Sequence, residues 1–284
     1  MICDERETPF GWLVTASLRG EVGLEALLPA ERALTGEMRG QRLASFVGGR
    51  VALRRALGKV GAPCSPILRD GRGAPTVAAG TTGSISHKDD VAVAIAARRA
   101  QSEHVGIDLE LDVPLRVDIA RRVLREEEQA QITAWDAEAR DRRVRETFAV
   151  KEAIYKAIDP VVRRYVAFQE VALSLDGVGA GRVTLHLQPP SQDFDVEIAV
   201  ERLCGPHGEP LILALARASV RGSRSRGRLS AGPPGLCPRR RGSPDLSRSA
   251  PRRTRGGSAD RCRWRCRSRA TPRGRSARRG AGRA

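Results

Sequence analysis

The chain has 284 residues, 40% hydrophobic, 29% charged and only 4% aromatic, with a formal net charge of +17. Of its 50 basic and 33 acidic residues, 21 arginines and two acids (Asp245 and Asp260) fall in residues 219–284, which leaves residues 1–218 at a net charge of −2. That near-neutral part is excluded as a basic nucleic-acid binder in its own right and is long enough for a full hydrophobic core. Apolar runs such as Val91–Ala97 fall far short of the ~20 residues a membrane-spanning helix needs. The acidic stretch Met1–Phe10 does not read as a secretion signal. Six cysteines, spread apart except for Cys262 and Cys266 and with no histidine after Cys237, read as reduced thiols of a cytoplasmic protein rather than a zinc set.

In chain order, a helix is expected from about Ala44 to Leu57, where Leu43, Phe46, Val47, Val51 and Leu57 recur at helical spacing. Turn-rich sequence around Gly71, Gly73, Pro75 and Gly80 follows, then a strand over Val91–Ala97. Helices are expected near Asp118–Trp135 and Asp141–Ile158, and strands near Val171–Leu175, Arg182–Leu187, Val196–Val200 and Leu211–Ala216. The glycines from Gly177 to Gly181 read as a hairpin turn. Each half therefore reads as helix then strands, closing on a small-aliphatic strand. This is the pattern of a duplicated α+β unit with subdomains 1–104 and 105–218 and a site at the seam, although no residue-level repeat is visible. Residues 219–284, rich in Arg, Ser, Gly and Pro, are expected to be disordered. They read either as an arm attracting polyanions or, lacking the aromatic spacing of a base-stacking segment, as a solvated extension.

Three short constellations carry chemistry. Val105-Gly106-Ile107-Asp108-Leu109-Glu110 alternates as a strand, so Asp108 and Glu110 share a face while Ile107 and Leu109 pack behind. Two carboxylates so placed repel unless a cation lies between them, and oxygen ligands suit Mg²⁺ with phosphates completing its shell. An exposed edge strand with solvated acids is the plain alternative. In Phe148–Ala157, Val150, Ile154 and Ile158 form an apolar helical stripe, while Glu152 and Lys156, four apart, share another face. That pair reads as a surface ion pair worth ~0.3–0.5 kcal/mol, or as a metal ligand or base (Glu152) with phosphate-clamping lysines (Lys151 and Lys156).

The third constellation is Gly83-Ser84-Ile85-Ser86-His87-Lys88, a histidine after a turn just before a strand, where hydroxyls, N–H groups and imidazole can meet an anion. Arg42, Arg50 and Arg54 add charge on the first helix, and Gly49 would let a phosphate approach the backbone; ordinary helix-surface charge is the alternative. No Gly-x-x-x-x-Gly-Lys loop, dinucleotide fingerprint or Ser/His/Asp set occurs, and His186, on an expected strand, and His207 read as structural or exposed.

Together and in this order, the motifs resemble the 4′-phosphopantetheinyl transferase superfamily, in its Sfp/EntD-like branch (enterobactin synthase component D-like). The resemblance covers roughly residues 40–170 and rests on Gly49-Arg50 through Leu57, Gly83 to His87, Gly106-Ile107-Asp108-Leu109-Glu110, and Lys151-Glu152-Ala153 with Lys156. Arg42-x-x-x-Phe46-x-x-x-Arg50 and Arg164-Tyr165-Val166-Ala167-Phe168 are also similar to siderophore and polyketide activators of that branch.

The resemblance implies a cytoplasmic, monomeric α+β pseudo-dimer of two similar subdomains with coenzyme A in the cleft between them. It implies Mg²⁺-dependent transfer of the 4′-phosphopantetheine arm to a serine of an apo acyl or peptidyl carrier protein, releasing adenosine 3′,5′-bisphosphate, in siderophore, polyketide or nonribosomal peptide synthesis. Residue by residue, it implies Asp108, Glu110 and Glu152 as Mg²⁺ ligands and Arg42, Arg50, Ser86 and His87 as coenzyme A contacts. Lys151 and Lys156 would face the nucleotide and pyrophosphate, and Arg69 and Arg72 would hold the adenosine phosphate. Catalysis falls to Asp108, Glu152 and Lys156, with Glu152 drawing the serine proton directly or through a water. The segment from Val113 to Ala130 is expected to be helical, as a docking face for the carrier or as core. Two other classes stay open on the residues alone: a nucleic-acid binder acting through the Arg-rich tail, and another Mg²⁺-dependent enzyme of nucleotide diphosphates, such as a hydrolase.

Overall fold

The chain begins with a hairpin that the expected order lacks, β1 (Ile2–Thr8) and β2 (Gly11–Ser17). The computed structural model describes residues 1–221 apart from 21, 22, 101, 102, 116, 177, 178, 190 and 191; the tail beyond residue 221 lies outside the described residues. A short helix α1 (Pro29–Arg32) and the long α2 (Gly40–Lys59) follow, then the hairpin β3 (Thr81–Lys88) and β4 (Val91–Arg98). The second half runs β5 (Glu103–Leu111), α3 (Ala120–Val123), α4 (Glu126–Ile132), α5 (Ala137–Val162), β6 (Val171–Leu175), β7 (Gly181–Leu185), β8 (Phe194–Cys204) and β9 (Pro210–Val220). The strands form a four-stranded sheet β1-β2-β4-β3, a three-stranded sheet β5-β9-β8 and the hairpin β6-β7, all antiparallel. The fold is mixed α and β.

Several expectations need correction. Gly83 to Lys88 is not a turn but most of β3, because its hydroxyl residues face a neighbouring strand. The helix expected over Asp118–Trp135, or from Val113, is broken at Leu124, whose backbone is extended, and Arg125 begins a new helix whose first free N–H is capped by Glu128. β5 begins at Glu103, and β9 continues to Val220, paired with Phe194. His186 lies just beyond β7, not on it. Of the Gly177–Gly181 turn, Gly177 and Val178 lie outside the described residues.

The layers follow from strand parity. Leu13, Val91, Val93 and Ile95 pack with Ile107, Leu109, Leu211, Leu213 and Leu215 in a core between the two larger sheets. The opposite faces carry Val14, Ala16, Ala94 and Ala96 against α2, and Ile212, Ala214, Ala216 and Ala218 against α5. β4 and β9 are thus buried on both sides, which is why they read as unbroken apolar runs rather than alternations.

The edges of the larger sheets meet without a backbone ladder. The N–H groups of Val105, Ile107 and Leu109 on β5 donate to Thr82 Oγ1, Ser84 Oγ and Ser86 Oγ on β3 at 3.2, 3.2 and 3.3 Å. Alternate hydroxyls of the β3 edge therefore satisfy alternate amides of the β5 edge, so these three buried donors keep acceptors without a backbone ladder.

One small device occurs twice. Glu31, fully buried at the third position of α1, accepts from Leu28 N–H at 2.8 Å and Ile67 N–H at 2.8 Å, and pairs with Arg54 of α2. Glu128, at the third position of α4, accepts from Arg125 N–H at 2.8 Å, Leu173 N–H at 2.7 Å and Lys151 Nζ of α5 at 2.7 Å. The helix cation follows the glutamate by 23 residues in both. A helix-capping carboxylate thus clamps a long helix and the chain beyond it in each half.

Candidate active site

The even-numbered face of β5 meets α5, most closely at Gly106, where a Cβ would lie 1.9 Å from the carbonyl oxygen of Ala153. Only a residue without a Cβ lets the helix backbone settle there, and that contact brings Glu152 and Lys156 beside Asp108. The glycine of the strand motif is what allows the two acidic motifs to meet.

Asp108 is 5% exposed. Its Oδ1 accepts from Lys156 Nζ at 2.6 Å and from Ser86 Oγ at 2.8 Å, while Oδ2 is buried without a hydrogen-bond partner among the described residues. Lys156 Nζ also donates to Ile107 O at 3.0 Å and to Ser86 Oγ at 3.3 Å. The Ser86 hydroxyl thus donates once and accepts twice, counting Leu109 N–H, which uses its full capacity. Glu110, on the same face as Asp108, pairs with Lys88 at 2.6 Å.

Electrostatics mark the cluster as short of positive charge. Burial, then the charges of Asp108 and Glu110, push the Glu152 carboxyl above its ordinary range against the pull of Lys156. Burial also raises Glu110, with Asp108 adding to it and Lys88 opposing. His87 sits at the end of β3, where desolvation and then the Lys156 cation lower its imidazole. Asp108, Glu110, Glu152, Lys156, Ser86 and His87 therefore share one neighbourhood. Among the described residues, however, no three Asp, Glu, His or Cys side chains converge tightly enough to hold one metal ion as placed; Lys156 and Lys88 occupy the negative field instead.

The arginine group lies on α2 and the chain after it. Arg42 is exposed in the first turn of α2. Arg50 is 5% exposed, donates from Nε to Ile67 O at 3.1 Å, and stacks 3.4 Å from the centroid of Phe46, which Arg69 also approaches at 4.9 Å. Burial, then the charge of Arg69, lowers the Arg50 pKa to about 10. Gly49 does not offer its backbone to a ligand: a Cβ there would lie 2.7 Å from Ile85 Cγ2, so the glycine serves the packing of α2 on β3.

Two expected contacts are elsewhere. Lys151 is 1% exposed, and its three protons go to Glu128 Oε2 at 2.7 Å, Val123 O at 2.8 Å and Phe168 O at 3.1 Å. An ammonium so enclosed faces no solvent-borne phosphate; it ties α3, α4 and the turn after α5 to the helix. Arg72 donates from Nε to Asp159 Oδ1 at 2.8 Å and from Nη2 to Tyr155 Oη at 2.8 Å, on α5.

Sequence reasoning missed Glu31 and Glu128, although Leu28-Pro29-Ala30-Glu31, with proline at a helix start and glutamate two residues on, carries the capping signal. It also missed Tyr155 and Tyr165, which with Glu152, Val166, Phe168 and Val171 line a small cavity beside the cluster. A larger hollow of roughly 290 Å³, lined by Arg143, Glu146, Asp176 and Arg202 among others, contains none of the expected site residues.

Comparison with known proteins places the chain in a family. The family profile described as the 4′-phosphopantetheinyl transferase N-terminal domain matches residues 30–97, and that of the 4′-phosphopantetheinyl transferase superfamily matches residues 104–215. The chain is 33% identical to 4′-phosphopantetheinyl transferase Svp of Streptomyces mobaraensis over 165 residues, 58% of this chain and 67% of that protein. It is 30% identical over 173 residues to 4′-phosphopantetheinyl transferase Npt of Nocardia iowensis, covering 59% and 77% of the two chains. With 4′-phosphopantetheinyl transferase PptT of Mycobacterium tuberculosis the identity is 29% over 161 residues, 54% of this chain and 67% of the other. The first profile ends in β4 and the second begins in β5, whose acids face α5, and the chain belongs to the 4′-phosphopantetheinyl transferase superfamily as an enzyme of that kind.

Proposed function

We propose that the enzyme moves the 4′-phosphopantetheine arm of coenzyme A onto a serine of an apo acyl or peptidyl carrier protein, releasing adenosine 3′,5′-bisphosphate. The observation that carries this reading is the group of three mutually repelling carboxylates beside Lys156, with Asp108 Oδ2 buried and unpartnered among the described residues. Such a donor set fits a hard divalent cation: Asp108, Glu110 and Glu152 would hold Mg²⁺, which when bound would neutralise the pyrophosphate and its developing charge. Side-chain rotation away from Lys156 and Lys88 would be needed, since the acids do not converge as placed.

The chain's own groups supply the rest. The serine oxygen forms a bond to the β-phosphorus while the bond to the bridging oxygen breaks, and charge gathers on the departing phosphate. Lys156 stands ready to balance that charge, and His87 to donate to a phosphate oxygen. Glu152, beside the place the serine would occupy, would take the serine proton directly or through a water. Arg42, Arg50 and Arg69 form the cationic side suited to the nucleotide phosphates, and the unfavourable closeness of Arg69 to Arg50 favours an anion between them. The tyrosines beside Glu152 offer an apolar wall against which the uncharged pantetheine chain would lie.

Within this reading, the repeated glutamate clamp supports two related subdomains meeting as a pseudo-dimer at the β3–β5 edge. We place the enzyme in the Sfp/EntD-like branch, as a monomer serving siderophore, polyketide or nonribosomal peptide synthesis in a cytoplasm that keeps Cys3 and Cys64 as free thiols. No helix among the described residues is long and apolar enough to cross a membrane. The test is intact-protein mass spectrometry of an apo carrier protein incubated with enzyme, Mg²⁺ and coenzyme A. A gain of one phosphopantetheine mass, absent with chelator, is expected; hydrolysed coenzyme A with an unmodified carrier would reject transfer in favour of a hydrolase.

A further inference from the structure

The chain between α2 and β3 hydrogen-bonds to the second half through Arg72. Arg69 and Pro75 form an isolated antiparallel bridge, and Asp70 Oδ1 accepts from the N–H groups of Arg72 and Ala74, each at 2.9 Å. The 69–75 turn is therefore a self-braced strap rather than a loose loop. From its tip, Arg72 spans 87 residues of sequence to Asp159, with Nε and Nη2 at 2.8 and 2.7 Å from the same carboxylate oxygen. Nη2 also donates to Tyr155 Oη, 83 residues away. Asp159 is a buried carboxylate on α5, and such a group is left uncompensated when its cation is removed.

Tyr155 stands one residue from Lys156 and, with Glu152, lines the cavity; its ring lies 6.3 Å from that of Tyr165, which lines it too. A guanidinium tied to both Asp159 and Tyr155 fixes where the tyrosine wall stands relative to the acids. We propose that Arg72 is a positioning residue for transfer: it straps the 69–75 turn onto α5 through Asp159 and Tyr155, holding the tyrosine wall beside Glu152, and does not itself grip the nucleotide phosphate. This inference rests on the proposed transfer activity.

The two roles make opposite predictions about substrate. A phosphate-gripping Arg72 would discriminate coenzyme A from 3′-dephospho-coenzyme A, and Asp159 would not. A strap would lose efficiency with both substrates alike, through either partner. The experiment measures kcat and KM of wild type, Arg72→Met, Arg72→Lys, Asp159→Asn and Arg72→Met/Asp159→Asn with each coenzyme, alongside hydrogen exchange of residues 69–75 in every protein.

Loss of kcat/KM by ~10- to 100-fold is expected for Arg72→Met with both coenzymes in the same ratio. Asp159→Asn should show a similar loss, the double variant little more than either single, and Arg72→Lys a partial recovery. Exchange in 69–75 should rise in Arg72→Met and in Asp159→Asn. An Arg72→Met enzyme that loses its preference for coenzyme A over the dephospho form, while Asp159→Asn keeps it, would overturn the inference alone. Unchanged exchange in both variants would overturn it as well. Wild-type protein that loads no carrier with either coenzyme would sink the transfer reading, and the positioning role with it.

Discussion

At the scale of single residues, the site is organised by how few partners the acids have. Asp108 has one oxygen held by Lys156 and Ser86 and the other buried without a partner among the described residues, and Glu152 lies in the negative field of Asp108 and Glu110. Asp108→Asn, Glu152→Gln and Lys156→Ala are each expected to lower transfer by roughly 10²–10⁴-fold, read by the mass gain of a carrier protein. Glu152→Gln should behave differently in a thermal melt with chelator present. Because folding raises the Glu152 carboxyl, its ionised form costs the fold stability above the folded pKa, and that cost vanishes as pH falls below the ordinary carboxylate range. The variant should therefore melt higher than wild type at neutral pH, with the gain shrinking on acidification; a lower melting temperature at pH 7 would contradict the raised pKa. The motif residues Asp108, Glu110, Glu152 and Lys156 were legible because strand and helix periodicity put each pair on one face. Ser86 as the hub joining Lys156, Asp108 and Leu109 was not, because that role depends on β3 lying alongside β5.

At the scale of elements, the lysine of Lys151-Glu152-Ala153 shows the limit of reading side-chain type from a motif. One helical step from Glu152, it points into the protein and spends all three donors on Glu128, Val123 and Phe168. Removing one member of a buried pair leaves the other unpaired, so Lys151→Met is expected to lower unfolding free energy by about 3–5 kcal/mol. Replacing both members, as Lys151→Met/Glu128→Leu, should recover part of that loss, though Leu173 N–H then loses its acceptor. Denaturant unfolding of the two variants checks this, and a Lys151→Met protein as stable as wild type would mean the ammonium does not hold α4 to α5. The same clamp in the first half, built on Glu31 and Arg54, was hidden from the sequence because its cation changes from Lys to Arg and its amide partner lies at a different distance. What the two share is the glutamate's capping position and the 23-residue interval to its cation.

At the scale of the whole molecule, charge is partitioned rather than spread, with a near-neutral described part followed by the Arg-rich remainder. Because β9 pairs with β8 as far as Val220 and Arg221 N–H still donates to Asp193 O, a chain ended after Arg221 is expected to keep wild-type transfer and melting temperature. Ended after Ala218, it should melt lower through loss of the Phe194–Val220 end of the sheet. A chain ended at 221 that lost transfer would assign the remainder a part in the reaction. The salt dependence of retention on a polyanion separately reports what that remainder binds.

By itself, the sequence determined which acidic and basic side chains share one face of a strand or helix, because alternation at two and at 3.6 residues is local and survives without knowing the fold. It likewise determined the class of reaction through the order of those stretches. Tertiary structure alone decided that Gly106 admits α5, that Gly49 packs on Ile85, that Lys151 is buried, and that Arg72 crosses to Asp159. Each of these depends on which distant segment lies within a few ångströms, and approach between segments is set by packing and desolvation over the whole core, not by any residue's own neighbours in the chain.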